Sequence, residues 1–521
     1  MESALDRVRK LRAEGKLNLQ DPVAVEVRPP PPKPKTGLAM TKEEAMAVFG
    51  HNGFRPGQEE VVDEVLNGTK GVMVVFPTGY GKSLTYQVPA LMMEGMSIVV
   101  SPLIALMKDQ VDRLQSRGIG AVLINSSLTP AEEREALTEV ASGSVKVIYV
   151  SPERFENKSF CSALKELDIS LLAIDEAHCI SRWGHDFRPA YADLGPVAKW
   201  MQPKQVMALT ATATTRVQDD ICTSLGLLDA ARFVRGVYRP NLELGVVEGL
   251  GMRRVQGMAE VVSSYVAQGQ GTGIVYTVTK RAAEEICGYF KKCDIRASFY
   301  HAGLPGKQRT EIQEDWAKNG GVIVATCAFG MGIDKDDVRF VLHSGLSQSI
   351  EDWYQEIGRA GRDGKPALCA SFWDYGDDYR TQMFLIDLTN PSGGDIRRFW
   401  TWLKAVAKSE MQPGCKTVTV NMTQKVMAES SGCVNVGGCI GYLKRSGHVA
   451  TLGRGKYRVD LERADLVNFD ELEEVRQAKI EKVNEVVRFY RSRDCRMAEV
   501  CGYFGDMSFS GGCKVCDNCR G

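Results

Sequence analysis

Short apolar runs alternate with longer stretches of helical spacing over most of the chain. Between about 41 and 228 the runs fall at 72–76, 98–100, 147–150, 171–174 and 206–209, each ending in small or polar residues. Stretches of ~10–20 residues with helical periodicity lie between them. Wholly apolar strands separated by helices predict a parallel sheet covered on both faces. A second block of the same kind spans about 258 to 373, with runs at 273–276, 297–300, 322–325, 339–342 and 368–372. Residues 236–257 join the two blocks, and neither block repeats the other.

The pattern changes after residue 400. Residues 422–431 and 434–445 read as two short helices. Residues 447–459 read as a hairpin with Gly453 and Gly455 at its turn. Helix, helix, basic hairpin is the order of a winged helix; a small helical insertion would give a similar pattern. Residues 461–493 read as one long charged helix. The first 40 residues stand apart: a short charged helix over 2–15, then a proline-rich spacer at 28–35. That spacer is either a plain linker or a ligand for a proline-reading domain.

Composition narrows the class only slightly. The 521 residues include 65 basic and 65 acidic side chains, with 44% hydrophobic and 25% charged residues. This is a globular balance, which excludes collagen-like, mucin-like and wholly disordered chains. Zero net charge offers no support for a nucleic-acid or membrane partner. Counted by segment, however, residues 41–399 carry −7 and residues 400–460 carry +6. The basic excess therefore gathers on Lys444, Arg445, Arg454, Lys456 and Arg458. The N-terminus is charged from its second residue, and no run approaches the ~18 apolar residues of a membrane span. Scattered cysteines in such a chain predict a reduced, intracellular protein, cytoplasmic, nucleoid-associated or nuclear.

Candidate chemistry begins at Pro77-Thr-Gly-Tyr-Gly-Lys-Ser83, between an apolar run and a helical stretch. This is the context of a phosphate-binding loop. Thr78, Gly79 and Gly81 would let backbone N–H groups close round phosphates. Lys82 would reach the β and γ phosphates of ATP, and Ser83 would ligate Mg²⁺. Phe76 stands where such loops carry a first glycine. Leu171-Leu-Ala-Ile-Asp-Glu-Ala-His178 ends an apolar strand in two acids. Asp175 would hold Mg²⁺, and Glu176 would orient and deprotonate the attacking water. In the second block, Gln355-Glu-Ile-Gly-Arg-Ala-Gly-Arg362 places Arg359 and Arg362 three apart. Both would stabilise transition-state charge, and Gln355 would help place the water. A surface basic turn would look the same if this segment stood alone. At the C-terminus, Cys513, Cys516 and Cys519 have the spacing of a zinc knuckle, which needs a fourth thiolate. Cys495 and Cys501 both lie within reach.

Together these motifs resemble the RecQ family of superfamily 2, DEAH-box DNA helicases, almost continuously over 45–384 and again over 488–519. The resemblance implies two RecA-like lobes, 41–235 and 236–390, and a helical zinc-binding module at 461–521; the winged-helix-like segment 400–460, read from the residue pattern, lies between the lobes and that module. Phe49-Gly-His-Asn-Gly-Phe-Arg-Pro-Gly-Gln58 is similar to the family's adenine-reading motif, with Arg55 and Gln58 on the base and His51 at a position often aromatic. Ser101–Gln110, Ser151–Phe155, Thr210–Ala213, Tyr300–Gly303 and Ala325–Asp334 resemble further motifs, Thr210–Ala213 being the one that couples the lobes. Cys179–Tyr191 resembles the aromatic-rich loop that senses single-stranded DNA. Trp183 and Phe187 offer stacking faces there, and Arg182 and Arg188 offer phosphate contacts; both rings could instead be buried core. Cys495 matches the family's helix-borne zinc ligand, which leaves Cys501 as core. The zinc would be structural.

The resemblance implies an ATP-dependent DNA helicase, acting as a monomer on single-stranded and tailed duplex DNA with 3′-to-5′ polarity. One departure stands out. The winged-helix-like segment precedes the zinc cysteines, whereas in the family it follows them. A translocase that hydrolyses ATP without separating strands is therefore the rival expectation.

Overall fold

The computed structural model describes residues 40–520, except 69–70, 166, 182, 185–186, 331–334, 412–414, 434, 454 and 464–468. The proline-rich extension and its charged helix lie outside the described residues. The described chain divides into two compact units, one comprising 40–378 and 483–520, the other 379–482.

The larger unit contains two parallel sheets. The first is built from β1 (Val72–Val75), β2 (Met96–Val100), β3 (Ala121–Ile124), β4 (Val147–Val150), β5 (Ile169–Ile174), β6 (Gln205–Thr210) and β7 (Ala231–Val234). Their order across the sheet is β3-β4-β2-β5-β6-β1-β7. Met73 and Val75 pack into a core on one face of β1, and Val72 and Val74 into a core on the other. A strand buried on both sides has to be apolar at every position, which is why β1 reads as a continuous run.

The second sheet contains β8 (Leu242–Glu248), β9 (Gly273–Thr277), β10 (Ala297–Tyr300), β11 (Val322–Ala325), β12 (Phe340–Ser344) and β13 (Ala367–Trp373). Its order is β10-β11-β9-β12-β13-β8, with every pairing parallel. β8 corrects one expectation. Residues 236–257 are not simply a connection, because β8 lies inside them and pairs with β13 along its whole length. β8 is an edge strand whose exposure alternates and then opens to solvent, so no continuous apolar run marks it.

The same unit ends in helix Arg496–Phe504 and the cysteine-bearing turn 505–520. Phe489 packs edge-on against Trp353 at 4.9 Å, and Tyr490 against Trp373 at 5.4 Å. Arg496 is 4% exposed and donates to the carbonyls of Phe489 and Tyr490 and to Asp517 Oδ1. Asp517 Oδ2 accepts from the amide of Val246 in β8 at 2.8 Å. A buried arginine and a bidentate carboxylate thus fasten this segment to the second sheet.

The smaller unit contains helix Gly393–Ser409, β14 (Thr417–Asn421), helices Gln424–Ser431 and Val436–Arg445, β15 (Val449–Gly453) and β16 (Lys456–Asp460). The three strands form an antiparallel sheet in the order β14-β16-β15. Phe399, Trp400, Leu403, Met427, Leu443 and Val459 share its core. This is a winged-helix arrangement. Its two anticipated helices start later than their apolar spacing implies, because Thr423 and Asn435 cap them. Gly455 turns the hairpin at φ +72°.

Candidate active site and metal centre

Parallel order places the candidate chemistry at the carboxyl end of the first sheet. β5, β6 and β1 are neighbours, so the acids after β5 and the loop after β1 emerge at the same carboxyl end. Thr210, the last residue of β6, lies between them, and its carbonyl accepts from the amide of Phe76 at 3.1 Å.

The loop turns on Gly79 at φ +79° and Gly81 at φ +87°. A side chain at either position would be strained, and a Cβ on Gly81 would stand 2.5 Å from Gln58 Nε2. Gln58 is 2% exposed and donates to the carbonyls of Tyr80 at 2.8 Å and Gly81 at 3.2 Å. Its Oε1 accepts from the amide of Arg55 at 2.8 Å, and Arg55 Nη1 donates to the carbonyl of Gly79 at 2.5 Å. The two residues matched to the adenine motif therefore also brace the phosphate loop. Thr78 and Ser83 are half-buried on the same loop, and His51 is exposed. Helix Leu84–Met92 begins directly after Ser83, whose side chain makes no capping bond. Lys82 Nζ donates to the carbonyl of Phe76 at 3.0 Å. Burial lowers the pKa of its ammonium, opposed by the charges of Glu176 and Asp175 and aided by Arg362.

Asp175 is 8% exposed. Burial, then the adjacent Glu176 charge, push its carboxyl up to about 7, with Lys82 pulling the other way. A buried carboxylate beside a second acid is a donor set suited to a divalent cation. Glu176 sits at φ 49°, ψ 43°, a left-handed conformation uncommon for a residue with a Cβ. Its Oε2 is buried without a hydrogen bond, 3.3 Å from His178 Nδ1. That same ring nitrogen lies 2.8 Å from Thr210 Oγ1. His178 thus joins the acid to the Thr210 segment, a connection that spacing along the chain does not reveal.

The aromatic-rich loop starts and ends on the acid pair. Tyr191 is buried and donates its hydroxyl to the carbonyl of Asp175 at 3.0 Å. Arg188 Nη1 donates to the carbonyl of Pro102, in the segment 101–110, at 3.3 Å. Trp183 is partly buried against the first-lobe core, so the core alternative holds for one side of its ring. The Arg216 guanidinium lies 3.7 Å from the ring centroid. Phe187 is exposed at 36%. Arg182 lies outside the described residues.

The second lobe brings the arginine segment in after helix Ile350–Ile357. Arg362 reaches the phosphate loop, with its side chain 3.4 Å from where a Cβ on Gly79 would stand. Arg359 is 5% exposed and lies beside Gly330 instead. Gln355 is half-buried on the helix. The segment is braced by two residues outside the sequence motifs. Arg239 Nη2 donates to the carbonyls of Ala360 and Gly361, both at 2.9 Å. Asn241 Nδ2 donates to the carbonyls of Gly361 at 2.8 Å and Lys365 at 2.9 Å. The available signal was Arg239-Pro-Asn241, two side-chain donors flanking a proline in a short connection.

The four cysteines expected to bind zinc converge. The sulfurs of Cys495, Cys513, Cys516 and Cys519 all lie within 4.8 Å of one another. Four thiolates at ~2.3 Å from one tetrahedral ion stand about 3.8 Å apart, inside that limit, so the residues fit zinc. The amide of Cys513 donates to Cys495 Sγ, and that of Cys516 to Cys513 Sγ, both at 3.2 Å. Backbone and thiol hydrogen bonds hold the Cys519 thiol down to about 7, while burial pushes Cys516 up to about 12. Cys501 stays outside the cluster, fully buried on helix Arg496–Phe504.

In the smaller unit Lys444, Lys456 and Arg458 are exposed, the last two on one face of β16. Arg454 lies outside the described residues, as does the side chain of Arg445.

Comparison with known proteins agrees with this arrangement. The DEAD/DEAH box helicase pattern matches residues 55–221, the helicase conserved C-terminal domain 257–364, and the RecQ zinc-binding domain 458–520. The chain is 42% identical to the ATP-dependent DNA helicase RecQ of Haemophilus influenzae over 353 residues, 68% of this chain and 55% of that protein. It is 41% identical to the probable ATP-dependent DNA helicase RecS of Bacillus subtilis over 352 residues, 67% of this chain and 69% of that protein. Dbp5 of S. cerevisiae shares the fold at TM-score 0.52 and 17% identity, over 66% of this chain and 90% of that one. Two RecA-like lobes, with an acid pair on one and an arginine segment on the other, define a helicase motor. The zinc module and the relatives narrow that class: the chain belongs to the RecQ family of ATP-dependent DNA helicases. It spans about half the length of several of the curated relatives it matches. Among the described residues, no helix is long and apolar enough to cross a membrane.

Proposed function

We propose that this chain is an ATP-dependent DNA helicase that moves 3′ to 5′ along a single strand, acts on tailed duplexes and works as a monomer inside the cell. The carrying observation is the divided site: Lys82, Asp175 and Glu176 belong to one lobe, and Arg362 reaches their phosphate loop from the other. A site that is complete only when two lobes meet converts hydrolysis into relative motion of those lobes. In this reading Arg55 and Gln58 bind the base, and Thr78, Gly79, Gly81, Lys82 and Ser83 bind the phosphates. Ser83 and Asp175 would hold Mg²⁺, which supplies charge neutralisation on the β and γ phosphates. Glu176 takes the proton from water, Gln355 helps place that water, and Arg362 meets the developing charge; Arg359, enclosed in its own lobe beside Gly330, would join it only after a rearrangement of that lobe. The four cysteines hold a structural zinc.

Unwinding separates this reading from its rival. With ATP, a 3′-tailed duplex should be opened and a 5′-tailed one should not. ATP turnover without strand separation on either would instead identify a translocase.

Single-stranded DNA would enter beside Trp183, Phe187, Arg182 and Arg188. The basic wing, with Lys444, Arg445, Arg454, Lys456 and Arg458, would contact duplex phosphates. Replacing Lys444, Lys456 and Arg458 together by alanine should lower the slope of log Kobs against log[salt] by about 3 for duplex DNA. Fluorescence anisotropy at several salt concentrations measures it. An unchanged slope would remove this face from the DNA path. The segment boundaries 41–235, 236–390, 400–460 and 461–521 belong to the same proposal.

A further inference from the structure

The crossover between the two sheets, residues 235–241, is gripped from three sides within seven positions. At its start, the amide of Arg235 donates to the carbonyl of Val75, the last residue of β1. Gly236, at φ +76°, has the Tyr80 ring so close that a Cβ would stand 2.5 Å from it. The amide of Val237 donates to Asp506 Oδ2 at 2.9 Å, and its carbonyl accepts from the Tyr354 hydroxyl at 2.9 Å. Tyr238 stacks on Phe509 at 4.0 Å with an interplanar angle of 3°. Arg239 and Asn241 then hold the arginine segment. Asp506 is 1% exposed, and its other oxygen accepts from the amide of Ser508 in the zinc-bearing turn. One carboxylate therefore ties that turn to the peptide next to Gly236.

Tyr80 belongs to the phosphate loop, yet it carries neither a glycine's freedom nor a phosphate-binding group. Its hydroxyl donates to the carbonyl of Pro56 at 3.0 Å, and its ring lies edge-on to Phe76 at 5.2 Å. For Lys82 to reach a phosphate, its ammonium must leave the carbonyl of Phe76. Lys82 follows Tyr80 by two residues, so any change of the loop backbone on nucleotide binding acts directly on the Tyr80 ring. Packed interiors switch between discrete arrangements rather than compress. With no space of even a methyl group against Gly236, the ring passes the motion to the crossover or is refused by it. Which occurs depends on how firmly Val237 is held.

We propose that Tyr80 is a positioning residue through which the zinc module, acting by Asp506 on the crossover, sets the nucleotide affinity of the phosphate loop. This rests on the reading that the loop binds ATP. The cavity lined by Arg232, Val234, Arg235, Gly505, Met507 and Ser508 lies along the same contact, so the crossover has room to shift on that side.

The test is a double-mutant cycle on the full chain. A fluorescent ATP analogue gives Kd, and DNA-stimulated ATPase gives KM and kcat. Tyr80→Ala and Asp506→Ala should each raise Kd and KM by about tenfold, with a smaller change in kcat. The double variant should be no worse than the poorer single one, a coupling of about tenfold. Tyr80→Phe, which keeps the ring, should restore affinity. Zinc content is measured on every variant. If Asp506→Ala loses its zinc, the cycle is run with Phe509→Ala, which touches the crossover from the same turn. Additive losses of about 100-fold in the double variant would overturn the proposal. So would an unchanged Kd when zinc is retained. A parent chain that binds no nucleotide would overturn the ATP reading itself.

Discussion

Replacing Glu176 by glutamine should lower DNA-stimulated ATP turnover by at least about 100-fold, while nucleotide affinity and melting temperature stay near those of the parent. Glutamine keeps the volume and the left-handed backbone that glutamate already accepts at φ 49°. It removes only the capacity to take a proton. The lost group is specific, because Glu176 Oε2 is buried without a hydrogen bond, 3.3 Å from His178 Nδ1. Lys82→Ala should also abolish turnover, but by a different route. It removes a phosphate contact, so nucleotide affinity falls with it. The two variants are separated by steady-state kinetics beside nucleotide titration. Near-parental turnover in Glu176→Gln would show that another group activates the water. A large drop in melting temperature would show that the residue mainly supports the fold.

Loss of zinc should be the largest single blow to stability. The four thiols hold the turn that carries Asp506 and Asp517, and those carboxylates cap amides of the crossover and of β8. Apparent zinc affinities of structural sites are on the order of 10 kcal/mol, and that binding energy is folding energy. Chelation, or Cys516→Ser, should therefore take zinc content from one per chain to none and lower the melting temperature. Tryptophan fluorescence should change, because Phe489 and Tyr490 pack on Trp353 and Trp373. Cys501→Ser should keep its zinc, since Cys501 lies outside the cluster. A Cys516→Ser chain that retained full zinc and parental melting would remove that thiol from the site.

The central strands of both sheets were legible in the sequence because burial on two faces demands apolar residues at every position. β1, β4 and β5 are the clear cases. β7 and β8 were not, for the converse reason: as edge strands they are half exposed, and their residues alternate or turn polar. β14 alternates exposed and buried positions on a solvated sheet and was missed as well. The phosphate loop, the acid pair, the arginine segment and the zinc cysteines could be named because each is a local arrangement with fixed spacing. The supports of those groups could not. Asp506 meets Val237 across 269 positions of chain, and Asp517 meets Val246 across 271. Only folding brings such pairs together, and neither acid carries a local motif. Arg359 and Arg362 share a spacing but not an environment; one is enclosed by its own lobe and the other faces the phosphate loop.

The guanidinium of Arg216 over Trp183 has a consequence for any planar ring arriving at that face. The place is already taken by a cation. A newcomer gains only the difference between its own stacking and the cation–π contact it evicts, and the evicted charge is released beside it. A neutral ring would find this exchange close to even. A ring that carries a phosphate would engage the freed guanidinium as well. On the reading that this face takes a base, Arg216 would favour a nucleotide over a bare aromatic.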